Sequence, residues 1–82
     1  MTWNYRIIKR ENEIWTYFAI YEVYYNKKGK ITSWSEPPIS PYGEDDVEDL
    51  KRDFKLMEKA FEKPILIEMI NKKGKEVLKE VK

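Results

Sequence analysis

The stretch IWTYFAIYEVYY, Ile14 to Tyr25, decides how this chain folds. It is rich in β-branched and aromatic side chains and contains neither glycine nor proline, the composition of a strand packed on a pleated surface. Strand alternation puts Thr16, Phe18, Ile20, Glu22 and Tyr24 on one face. Trp15, Tyr17, Ala19, Tyr21, Val23 and Tyr25 fall on the other. Both faces are apolar, so this strand belongs in the centre of a sheet.

On its C-terminal side NKKG, Asn26 to Gly29, leads directly into KITSWSE, Lys30 to Glu36. Asn at the first position and Gly at the fourth fit a type I turn closed by a left-handed glycine, a three-residue hairpin loop with a bulge. That hairpin would set Tyr24 near Thr32 and Glu22 near Trp34. On the N-terminal side, WNYRIIKR, Trp3 to Arg10, alternates Trp3, Tyr5 and Ile7 against Asn4, Arg6 and Arg10, with Ile8 out of pattern. The polar ENE, Glu11 to Glu13, reads as a tight connection. A three-stranded antiparallel meander from Trp3 to Glu36 follows.

PPISPYG, Pro37 to Gly43, ends the third strand and carries the chain to a new element. Glu44, Asp45, Asp46, Glu48 and Asp49 crowd a helix start, where negative charge meets the positive end of the helix dipole. Asp45 or Asp46 would serve as N-cap, with Glu48 or Asp49 three residues on. Val47, Leu50, Phe54, Met57 and Phe61 recur three or four apart beside Ala60, one apolar stripe fit to cover a sheet. Lys63 before Pro64 is a stop. PILIEMI, Pro64 to Ile70, reads as a fourth strand. A second NKKG, Asn71 to Gly74, leads to KEVLKEV, Lys75 to Val81, which fits either a hairpin partner or a short helix. The expected architecture is α+β, an antiparallel three- to four-stranded sheet with one amphipathic helix from about Asp45 to Glu62 on one face, in the order β-β-β-α-β. Residues 1–68 would form the single domain and 69–82 a C-terminal extension.

Composition removes several kinds of chemistry. With 82 residues the chain builds one small core, and its three Trp, six Tyr and three Phe supply the bulk. It has no Cys and no His, so disulfides, thiolate zinc sites, Ser-His and Cys-His nucleophiles and imidazole acid-base chemistry are all absent. Sixteen basic residues against fifteen acidic ones produce no strong field for polyanions or anionic membranes. No segment has the length and apolarity of a membrane span, and no basic start precedes an apolar run, so a soluble cytoplasmic protein is expected. No cofactor or metal is implied, since the acidic cluster Asp45, Asp46, Glu48 and Asp49 is accounted for by the helix start. Glu22 is an isolated carboxylate on a strand face. A catalytic role for it would require a tyrosine or lysine to converge on it.

One helix covers one face of a small sheet, so the aromatic set Trp15, Tyr17, Tyr21 and Tyr25, with Arg6 nearby, is the candidate contact surface. Tyr, Trp and Arg dominate the energetics of protein interfaces. The function expected is therefore that of a small non-catalytic interaction module binding a protein partner or a second copy of itself. The alternative is RNA or single-stranded DNA bound by the same aromatics together with Arg10, Lys27, Lys28 and Lys30.

NYRII (4–8), FAIYEVYYNKKGKITSWSEPPISPYGE (18–44) and LKRDFKLMEKAFEKPILIE (50–68) resemble a family of small uncharacterised bacterial and phage-associated proteins. Its marks are an EVYY strand, a D/N-x-x-G-K turn, a W-(S/T)-E-x-P loop and a K-P-(I/V)-L helix end. The order of strand hairpin, proline loop, Gly-acidic helix start and amphipathic helix is also similar, at the level of fold, to HicB-like antitoxin domains. EPPISPYGEDDVEDL, Glu36 to Leu50, keeps the prolines, Gly43 and the acidic start, without that family's Cys or its DNA-binding segment.

Overall fold

The computed structural model describes residues 2–44 and 46–81. β1 (Thr2–Glu11) and β2 (Thr16–Tyr25) pair antiparallel along their whole length, from Thr2 opposite Tyr25 to Glu11 opposite Thr16. Asn12 makes the connection tight. Its Oδ1 accepts from the amides of Ile14 and Trp15 at 2.7 and 2.9 Å, while its own amide donates to the Trp15 carbonyl. β3 (Ile31–Trp34) pairs antiparallel with β2, completing the meander.

The two NKKGK segments fold alike. Gly29 and Gly74 take φ of 79° and 77°, a region that L side chains avoid. Asn26 Oδ1 accepts from Lys28 and Lys30, and Asn71 Oδ1 accepts from Lys73 and Lys75, at 2.9 and 3.0 Å in each case. The second turn joins β4 (Leu66–Ile70) to β5 (Glu76–Glu80), so the segment after Ile70 is a hairpin strand and not a helix. In the first hairpin the bulge between Tyr24 and Tyr25 takes up one residue more than the sequence register allowed. Trp34 consequently lies opposite Val23, not Glu22, and so on the other face of the sheet.

Two features of the expected sheet are corrected. It has five strands in the order β3-β2-β1-β4-β5, giving β-β-β-α-β-β along the chain, and it is mixed. β4 lies beside β1 and parallel to it, with Ile8 opposite Leu66, so it cannot be reached by a turn and needs a crossover. The helix supplies that crossover. α1 (Val47–Glu58) is capped by Asp46, whose side chain accepts from the Asp49 amide at 3.0 Å. The expected alternative cap, Asp45, lies outside the described residues. The helix tightens into a 3-10 turn, Lys59–Glu62, and ends before Pro64.

The core sits on the face away from α1. Ile8, Tyr21, Val23 and Leu66 form a buried cluster, with Ala19, Tyr25, Ile31, Trp34 and Leu78 packed on it. A flat sheet would leave that face open. β3 and β4 are three strand spacings apart, about 14 Å, yet Trp34 Nε1 donates to Glu68 Oε2 at 3.2 Å. Twist and the bulge coil the sheet until its edges approach and the concave side closes over its own residues. Ile8, out of pattern in the sequence, is fully buried there, while Ile7 is buried beneath the helix.

Candidate functional site

The concave face holds the aromatic residues singled out in the sequence, and it commits most of them to the fold. Tyr21 is 0% exposed and Arg6 is 6% exposed, so neither is available to a partner. The expectation of an open aromatic face fails because the coiled sheet, and not a second helix, covers it. Arg6 donates to the Tyr25 hydroxyl at 2.9 Å and to the Pro64 carbonyl at 2.7 Å, tying β1 to β2 and to the entry of β4. Tyr25 in turn donates to Asn4 Oδ1 at 2.9 Å. The hydroxyls of Tyr17 and Tyr21 meet at 3.0 Å across Ala19. Burial, followed by that hydrogen bond, pushes the Tyr21 hydroxyl up to about 12, whereas hydrogen bonds with Tyr21 and Arg10 hold Tyr17 below the usual tyrosine value. Trp15 remains exposed in the β1–β2 turn, tilted against Tyr17 with ring centroids 5.1 Å apart.

The residues of the nucleic-acid alternative are not brought together. Arg10 is opposite Tyr17 near the start of β2, whereas Lys27, Lys28 and Lys30 follow its end, about 30 Å further along the strand. Arg10 is also occupied. Its guanidinium pairs with Glu68 at 2.7 Å, donates to the Glu36 carbonyl at 3.3 Å and lies 5.3 Å from the Tyr21 ring centre. Glu22, on the helix-side face, accepts a short hydrogen bond from the Tyr24 hydroxyl. That bond raises the Tyr24 hydroxyl above its ordinary value. No lysine bonds Glu22 among the described residues. Among those residues, too, no group of three or more carboxylates is arranged to hold a metal ion.

The exposed apolar surface lies instead on the helix side. Met57 and Ala60 are buried, but the rest of the expected stripe is not: Phe54 is 55% and Phe61 69% exposed, with Val47 and Leu50 also at the surface. Asp53 explains the offset. It accepts from the Tyr5 hydroxyl at 3.4 Å and from the Tyr42 amide at 2.8 Å, anchoring the helix by its polar flank. Burial and the nearby Asp53 carboxylate raise the Tyr5 hydroxyl above its usual value. Between helix and sheet this leaves a groove of about 460 Å³ lined by Ile7, Phe18, Ile20, Ile39, Phe54, Met57 and Phe61. It continues past Phe54 and Pro41 into a dimple formed with Val47 and Leu50. Contiguous exposed apolar surface of this kind marks interaction sites. Sequence reasoning put Phe54 and Phe61 in the stripe that covers the sheet, and put Phe18 on a strand face without deciding which face the helix covers. The available signal was quantitative: one helix of 12 residues cannot cover its whole stripe and the apolar face of two ten-residue strands together.

No helix among the described residues is long and apolar enough to cross a membrane. Comparison with protein-family models, with curated proteins and with solved structures found no significant match.

Proposed function

We propose that this chain is a small, cytoplasmic, non-catalytic interaction module that binds a protein partner. The observation that carries the reading is the open groove between α1 and the sheet, with Phe18, Phe54 and Phe61 more than half exposed around a floor of Ile7 and Met57. An apolar side chain entering it would be removed from water against aromatic walls, the arrangement of interface hot spots. This reading takes the helix-side groove as the binding surface rather than the aromatic set Tyr17, Tyr21 and Tyr25, with exposed Trp15 outside the groove. Kinship with the bacterial and phage-associated family, and the HicB-like likeness of fold, rest on the sequence motifs and suit a small binding domain. The nucleic-acid reading is supported by the exposed turn lysines.

A photo-cross-linking amino acid in place of Phe61, installed in cells, tests the proposal. A discrete protein adduct is expected, with none from the same probe in place of Lys28. Adducts to nucleic acid at position 28, with no protein adduct at 61, would overturn it.

A further inference from the structure

We infer that the partner seated on this surface is a second copy of the same chain, docked by antiparallel pairing of the two α1 helices about a two-fold axis near Phe54. The inference rests on the groove being a protein-binding surface and identifies its occupant. Met57 and Asp53 face the body of the protein, and at 100° per residue the mean direction of Val47, Leu50 and Phe54 lies about 70° away from theirs. That exposed stripe is flanked on its solvent side by Lys51 and Glu58, seven residues and two turns apart. Neither makes an ion pair inside the chain among the described residues.

Their spacing is self-complementary. When two copies of one helix run antiparallel with the axis between Phe54 and Lys55, Lys51 of each copy faces Glu58 of the other, and Val47 comes within one residue of Phe61. Both charge pairs form together, as an isologous interface requires. A parallel pairing about a two-fold along the helices would put this flank of the two copies on opposite sides of the seam, so that neither charge pair could form. The apolar stripe drives association and the two charges fix its direction.

The test is sedimentation velocity over a concentration series, with thermal melts confirming that each variant folds. The wild type is expected to dimerise, and Phe54→Asp to be monomeric. Lys51→Glu and Glu58→Lys alone should each weaken the dimer by about tenfold, because two like-charge pairs replace two opposite ones. The double reversal K51E/E58K should restore it. An equimolar mixture of K51E and E58K chains should form a heterodimer, since one helix then carries only acid and the other only base at these positions. A dimer indifferent to both reversals, or a wild type that stays monomeric to about millimolar concentration, would overturn the inference. In the monomeric case a foreign protein cross-linked at position 61 would still uphold the groove as a binding surface, so the two failures are separable.

Discussion

Replacing Tyr21 by Ala separates a contact residue from a core residue. A contact residue on an open face would cost at most about 0.5 kcal/mol of folding stability. Tyr21 has no exposed surface and packs with Ile8, Val23 and Leu66, so its truncation leaves a cavity in the middle of the concave side. Large aromatic truncations of this kind cost about 3–5 kcal/mol. The ring also lies under the Arg10 guanidinium, and its hydroxyl is the partner of Tyr17, so two further interactions are lost. A domain of 82 residues has about 4–12 kcal/mol in total at ordinary stability per residue. Tyr21→Ala should therefore remove a quarter of the stability or more. Tyr21→Phe, which keeps the ring and deletes one hydrogen bond, should cost about 1 kcal/mol and provides a reading if the Ala variant does not fold. Urea unfolding followed by tryptophan fluorescence measures both. A loss below about 1 kcal/mol for Tyr21→Ala would refute the closed concave face, because no well-packed core position tolerates that cavity so cheaply.

Other outcomes follow from the same geometry. Unfolded tyrosine ionises near 10, while folded Tyr21 holds its proton up to about 12. Between those values the unfolded state sheds a proton that the folded state keeps, so this contribution to stability is complete below pH 10 and is lost as pH rises toward 12. Denaturation at pH 8, 10 and 11.5 should show the loss in the wild type and a weaker one in Tyr21→Phe. Gly43→Ala should cost about 1–3 kcal/mol by urea unfolding, since a Cβ there would lie 2.8 Å from the Cβ and amide of Leu50 and 2.9 Å from the Asp46 carbonyl. Gly74→Ala should cost about 1 kcal/mol through its positive φ alone, as a Cβ there meets no neighbour. Thermal melts can follow that change, and a cost near zero would mean that the second turn is not held in its left-handed form.

Local rules made much of this fold legible. Asn26 and Asn71, each three residues before a glycine, specify the same turn wherever they stand, because the asparagine side chain binds backbone amides within its own loop. Asp46 caps its helix for the same reason. The alternation of Ile14 to Tyr25 assigned every side chain of β2 to the correct face, since strand period depends only on the backbone. The candidate site was less legible. Its residues were named, but whether Tyr21 or Phe54 meets solvent depends on which elements cover them.

The sequence by itself thus determined the meander, the helix and the first glycine turn, while it left the cap between Asp45 and Asp46 and the segment at the second glycine between a hairpin and a short helix. Only the tertiary structure decided that β4 runs parallel to β1, that the sheet coils until Trp34 reaches Glu68, and that Asp53 rotates the helix stripe away from the sheet. Each of those depends on groups 11 to 58 residues apart meeting in space. Burial is a property of that meeting, so Tyr21 became core and Phe54 became surface although both read as apolar in the chain.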